Sequence, residues 1–320
     1  METSKNAQTC SSTIFDVLPV EMGLGGRQLY QWEDFWYTNL YLPQCLAARS
    51  YFQAHEDDVI IASSMKTGTT WLKALIWCIM HCKPQHDDNN NDDDALVKNN
   101  PHLLMPVLEL KFFGEYPKAD ISGMPSPRLL QTHVPYMMLS DSVKESNCKI
   151  VYITRDPKDV FVSLWHFYNA NHAKPEQGPD PLDEAFDKYC KGIHPIGPFH
   201  DHVLSYWKES LKRPGKILFL KYEELKRDPK GQLQKLASFL GRPIAEEDVI
   251  DNILWRCSLE RLKNLEVNQN GSLVGCTYKS FFRLGSVGDW KNYLSKEMKD
   301  RLDNITRMKF ESSGLDLEIS

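Results

Sequence analysis

The sequence holds no apolar run long enough to cross a bilayer. The longest near its start, WLKALIWCIMHC, is interrupted by Lys73 and is twelve residues long, against the roughly 20 a spanning helix needs. A surplus of positive charge is also missing: 38 Lys and Arg face 43 Asp and Glu, a net −5. That excludes a nucleic-acid partner held by bulk electrostatics, while leaving room for a local basic cleft that takes a small anion. The eight cysteines show no repeated short spacing, and the opening METSKNAQTCSSTIFDVLP has no apolar signal core. Both features point to a reducing, cytoplasmic setting without disulfides or a membrane anchor. No internal repeat is present. What remains is an ordinary globular mixture, 42% hydrophobic and 25% charged over 320 residues, large enough for one substantial core.

Short apolar runs alternate with helical patterns, the signature of an α/β protein with a central parallel sheet flanked by helices. DVIIASS is followed by a Gly/Thr turn and a helix over TTWLKALIWCIM. RLLQTH ends at His133. KIVYIT leads into RDPKDVFVSLWHFYNA, where Val160, Phe161, Leu164, Trp165 and Tyr168 make a helical stripe and Asp156-Pro157 is a start signal. KILFLKY precedes LQKLASFLG, which Gly241 is expected to end. One domain over residues 30–320 is the simplest account, preceded by a partly flexible segment 1–29. The stretch KPQHDDNNNDDDALVKNN, within 83–100, has too little apolar surface to order itself and is expected to be a mobile loop.

Four of these strand ends carry polar residues suited to an anion: Lys66 to Thr70, His133, Arg155 and Tyr222. In an open parallel sheet they converge, since ligands sit at the carboxyl ends of the strands. SSMKTGTTW places Gly68 and the hydroxyls of Thr67, Thr69 and Thr70 between a strand and a helix start, where backbone N–H groups and the helix dipole favour a phosphate. The nucleotide kinase pattern G-x-x-x-x-G-K-S/T is not met: Lys66 precedes the glycine, so this is a P-loop-like turn without the metal-binding signature. Cys78, His81, Cys82 and His86 superficially suggest a metal, but the first three share an amphipathic helix and no second cluster completes a site. No metal is expected.

SSMKTGTTWLKAL, TH followed by VPY, YITRDPKDVFVSLWHFYN, LFLKYEELKRDP and FRLGSVGDWKN resemble, in order and across roughly residues 30–315, the motifs of the cytosolic sulfotransferases. GDWKNYL and TH-x-PY are most similar to plant flavonol-type members. The resemblance implies a single α/β domain that takes 3′-phosphoadenosine-5′-phosphosulfate (PAPS) and releases adenosine 3′,5′-bisphosphate (PAP). Lys66 to Trp71 would bind the phosphosulfate, Trp71 stacking on adenine. Arg155 and Ser163 would hold the 3′-phosphate, with Arg283, Leu284 and Gly285 closing over it. Tyr222, and Cys257 and Leu259 of CSLERL, would contact the nucleotide. His133 would be the catalytic base and Lys66 would stabilise the leaving group.

Three departures stand out. Gln131 replaces a lysine common in animal members two residues before the base, leaving Lys66 to carry more of the transition state. Leu284 replaces a lysine in the Arg-Lys-Gly pattern, and Leu259 a phenylalanine. The animal dimer motif is not found in LSKEMKDRLDNITRMKFESS, so a monomer is expected. On the acceptor side, Trp32, Phe35, Trp36, Tyr37, Tyr136, Phe167 and Tyr168 are candidates, with Trp36, Tyr136, Phe167 and Tyr168 taken as the pocket for a flat phenol such as a flavonol. Another small hydroxylated acceptor, such as a steroid or hormone, is the alternative. GMPSP and PIGPF are expected as lids at the acceptor mouth. A metal-dependent kinase and a non-catalytic nucleotide sensor are competing readings of the same loop.

Overall fold

The computed structural model describes residues 14–82, 94–114, 121, 123–172 and 178–317. Three short strands come first, β1 (Val20–Met22), β2 (Gln28–Trp32) and β3 (Phe35–Thr38), paired antiparallel in that order. Glu33 and Asp34 join β2 to β3 at φ of 46° and 66°, the two left-handed positions of a tight hairpin turn. The boundary expected at residue 30 therefore falls inside β2. Val20–Met22, expected to belong to a lead-in segment, pairs with Gln28–Tyr30. A three-residue strand with every side chain exposed leaves no alternation to read in the sequence.

Helix α1 (Tyr41–Tyr51), strand β4 (Val59–Ser63) and helix α2 (Thr69–Met80) follow. Next come β5 (Leu129–Thr132), β6 (Lys149–Thr154), α3 (Pro157–His172), α4 (Phe199–Lys212), β7 (Ile217–Lys221), α5 (Pro229–Phe239), α6 (Glu247–Arg256) and α7 (Lys296–Phe310). Strands β4 to β7 form one parallel sheet in the order β5-β4-β6-β7. Their near-continuous apolar sequences reflect cover on both faces. Val59, Ile61, Val151 and Ile153 pack with residues of α2, α5 and α6. Ile60, Ala62, Ile150 and Tyr152 pack with α1 and with Tyr206 of α4. A third cluster joins α3 to α7 through Phe161, Leu164, Leu302 and Phe310.

Asp156 starts α3 as expected, its Oδ1 accepting from the Lys158 N–H at 2.9 Å. Past the end of α5, Gly241 takes a φ of 71°, the left-handed position that glycine fills without a Cβ penalty. From β4 the chain moves out to β5, then crosses back to β6 on the other side. This reversal opens a crevice at the carboxyl ends of the strands, the place where such sheets bind ligands.

Some expectations need correction. Of the proposed 83–100 loop, residues 83–93 lie outside the described residues, but 94–100 are structured. Asp94 caps the short helix Ala95–Lys98 and pairs with Arg256 and Arg261, both at 2.7 Å. Asn100 caps the helix Pro101–Leu104 and donates to Asn268 at 2.8 Å. Neither expected lid reaches the crevice. GMPSP enters β5 at its amino end, whereas PIGPF pairs with β3 through Ile196 N–H to Trp36 O and Trp36 N–H to Gly197 O. Cys78 is buried 3.6 Å from Cys257, His81 stacks on Trp77 and Cys82 is exposed. His86 lies outside the described residues.

Candidate active site

The crevice contains a cavity of about 350 Å³ lined by residues from all four strand ends. Lys66 and Gly68 come from the loop after β4, Thr69, Thr70 and Trp71 from the first turn of α2, His133 from just past β5, Arg155 from just past β6, Ser163 from α3, and Tyr222 from just past β7. Cys257, Leu259, Arg283, Leu284 and Gly285 close the far wall.

The loop is held by its own hydroxyls. Ser63 Oγ and Thr69 Oγ1 share a 2.8 Å hydrogen bond, while Thr67 Oγ1 donates to Ser64 O at 3.0 Å. The Thr67 side chain is thus turned inward and fully buried, so toward a ligand only its backbone is available. Gly68 sits at φ 110°, and a Cβ there would lie 2.7 Å from Tyr222 Cδ2; both conditions require glycine. Lys66 also adopts a left-handed φ, 67°, a strained state for a residue with a Cβ that is often met where a side chain must be aimed. Its Nζ lies 4.1 Å from the centre of the Phe167 ring and 5.8 Å from that of Phe281. Burial, then the nearby Arg283 and Arg155 guanidinium groups, lower its pKa to about 7.

Two guanidinium groups frame the other end. Arg155 donates from Nη2 to Asp159 at 2.9 Å and to Ser286 O at 2.5 Å, and its plane covers Tyr222 at 4.5 Å. Arg283 donates to Asp289 at 2.5 Å. In both arginines Nε is buried and has no hydrogen-bond partner among the described residues, a costly state that an incoming anion would relieve. Asp159 is fully buried and also accepts from the N–H groups of Gly288 at 2.8 Å and Trp290 at 3.0 Å, so it ties the 283–290 loop to α3. Tyr222 OH donates to Gly285 O at 2.7 Å. Leu259 packs so closely on Gly285 that a Cβ there would come within 2.7 Å of it.

His133 has its tautomer set by the backbone. Its Nδ1 is 2.8 Å from the Ser63 carbonyl, which can only accept, so Nδ1 carries the proton and Nε2 keeps a free lone pair. Its own carbonyl accepts from His202 Nε2 at 2.8 Å, and His202 Nδ1 is 2.9 Å from Tyr152 OH. Burial, and beyond it the Lys73 and Lys66 charges, lowers the His133 pKa to about 4 against the support of the Ser63 bond. The imidazole is therefore neutral at physiological pH and able to accept a proton.

Of the aromatic residues expected around an acceptor, the cavity receives Phe167. Tyr168 is buried behind it, its OH 3.9 Å from Met65 Sδ. Trp36 is buried in β3. Tyr136 packs edge-on against Tyr206 and hydrogen-bonds Arg213, lining a separate shallow groove instead. Sequence reasoning missed Met65, Phe281 and His102, all in the cavity wall, and treated Lys73 as a helix residue only. His102 follows the Asn100-Pro101 helix start, a readable signal in a stretch that the sequence pattern assigns to a loop up to residue 100. Gln131 is fully buried with neither side-chain amide atom hydrogen-bonded.

Residues 56–314 match the family model of the sulfotransferase domain. Cytosolic sulfotransferase 5 of Arabidopsis thaliana is 41% identical over 313 residues, spanning 95% of each chain. Among solved structures, an Arabidopsis thaliana sulphotransferase is 35% identical with a TM-score of 0.74, covering 95% of this chain and 94% of its own. A mouse sulfotransferase complexed with PAP is 28% identical with a TM-score of 0.69, covering 89% and 95%. With a crevice built from these strand ends and a match over most of its length, the chain belongs to the sulfotransferase family and, within it, to the plant cytosolic type.

Proposed function

We propose that this enzyme transfers a sulfuryl group from PAPS to a hydroxyl of a small aromatic acceptor, a flavonol or related phenol. The observation that carries this reading is His133: its Nδ1–H is held by Ser63 O, leaving Nε2 as an acceptor in the same cavity as Lys66. The residues present fit the donor, because Arg155 and Arg283 each keep a buried Nε without a partner among the described residues. Arg155, Ser163 and Arg283 would grip the 3′-phosphate, and Trp71 and Tyr222 would contact the nucleotide. PAPS, when bound, supplies the sulfuryl group attached to a phosphate that leaves.

With the donor bound, His133 Nε2 would accept the proton of the acceptor hydroxyl. A phenol near pKa 10 is a weak nucleophile without such a base. Lys66, the Thr69 and Thr70 hydroxyls and the loop N–H groups would hold the phosphosulfate end and offset negative charge there. Met65, Phe167 and Phe281 give the acceptor end an apolar lining suited to a flat ring. The cytosolic naming of the Arabidopsis relatives supports a cytoplasmic setting, and among the described residues no helix is long and apolar enough to cross a membrane.

His133→Asn removes the base and keeps a side-chain donor for Ser63 O. With labelled PAPS and a flavonol panel, its kcat should fall by roughly 10²–10⁴, while PAP affinity measured by calorimetry stays close to wild type. Wild-type turnover in the variant, or loss of PAP binding in step with activity, would contradict the assignment.

A further inference from the structure

One polar chain behind the cavity wall enters that mechanism only through its Thr70 end. Lys73 is fully buried on α2, one turn beyond the phosphate loop, and its Nζ lies 3.0 Å from His102 Nδ1. On the other side of the ring, His102 Nε2 lies 2.9 Å from Thr70 Oγ1. Phe281 packs over the imidazole at 4.2 Å between centroids, fixing its plane.

We propose that Lys73 and His102 are positioning residues that set the direction of this chain so that the Thr70 hydroxyl donates its proton to the 5′-phosphosulfate end of the donor. The proposal rests on the donor reading given above.

The direction follows from what each group can do. An ammonium only donates, so Lys73 makes His102 Nδ1 an acceptor. Burial, then the charges of Lys73, His133 and Lys66, holds the His102 pKa well below the usual histidine range, so the ring is neutral with a single N–H. That proton must sit on Nε2, where it donates to Thr70 Oγ1. The Thr70 oxygen then spends a lone pair on His102 and keeps its own hydrogen for the cavity. Burial lowers the Lys73 pKa to about 7, and an anion arriving at the loop favours the ammonium form and with it this polarity. Gln131 is neutral, and Leu129, two residues before it on β5, packs in the same cluster as α2. Lys73 therefore adds a second cation from the helix, where the sequence alone left Lys66 to carry more of the transition state.

Calorimetry on wild type, Lys73→Met, Thr70→Val and the double variant tests the idea with two ligands. PAP carries a 5′-phosphate; adenosine 3′-monophosphate does not. Each single variant should weaken PAP about tenfold, the scale of one hydrogen bond to a charged group. The double variant should be no weaker than Thr70→Val alone, and adenosine 3′-monophosphate should bind all four proteins alike. Additive losses of about a hundredfold in the double variant, or equal weakening of both ligands by Lys73→Met, would overturn the proposal. Should Lys73→Met fail to fold, His102→Phe breaks the same chain at its centre and must show the same ligand selectivity and the same lack of additivity with Thr70→Val. Failure of the wild type to bind PAP at all would instead refute the donor reading on which the proposal stands.

Discussion

Lys66 is bent into a left-handed backbone state and its ammonium rests on Phe167, with burial, Arg283 and Arg155 lowering its pKa to about 7. Above that pH the free protein holds it largely neutral, whereas a bound polyanion favours the charged form. PAP binding at pH 8 should therefore take up a proton, and affinity should decline as pH rises above about 7. Calorimetry in buffers of different ionisation enthalpy checks this, with the uptake reduced in Lys66→Met; proton release, or an uptake unchanged in that variant, would contradict it. At this scale the sequence was most legible where residue type and strand end coincided. Lys66, Gly68, His133, Arg155 and Tyr222 could be named because each follows an apolar run. The aromatic residues could not be sorted the same way. Phe167 and Tyr168 are adjacent on one helix, and only packing decides that one faces the cavity and the other the core.

At the scale of elements, α3 carries more than its stripe of apolar residues. Asp159, in its first turn, accepts from Arg155 and from the N–H groups of Gly288 and Trp290, so one buried carboxylate aligns the arginine and anchors the loop bearing Arg283. Asp159→Asn should lower stability by about 3–5 kcal/mol, the cost of removing one partner from a buried ion pair, and weaken PAP in parallel. Urea unfolding and calorimetry would show both, and stability and affinity equal to wild type would rule out this anchoring. The central elements were readable because a strand covered on both faces is apolar throughout and the helices carry cap signals at Asp156 and Gly241. The N-terminal hairpin was not, since β1 exposes all three side chains. The ordering of 94–100 was hidden because its stability comes from distant partners, Arg256, Arg261 and Asn268, which lie more than 160 residues away along the chain.

For the molecule as a whole, buried histidines set the acid limit. Burial lowers the pKa of His194 to about 4 and those of His200 and His202 to about 3. His200 also joins α4 to α7 through Thr306 at 2.9 Å. Each is neutral in the fold and charged when unfolded, so its contribution is complete above about pH 6.5 and is lost as pH falls through its folded pKa. The unfolding free energy from urea titrations should fall steeply between pH 7 and pH 5, by roughly 2 kcal/mol per histidine in this window. A flat profile would show that these rings are charged or hydrated in the native state.

The central claim, a crevice shaped for a 3′-phosphorylated adenine nucleotide, is tested most directly by thermal unfolding with PAP and, separately, with ATP and Mg²⁺. At 100 times its Kd, PAP should add about 2.7 kcal/mol of apparent stability, seen as a rise of several degrees in Tm, with little change from ATP and Mg²⁺ at the same concentration. A shift with ATP and Mg²⁺ and none with PAP would contradict the account.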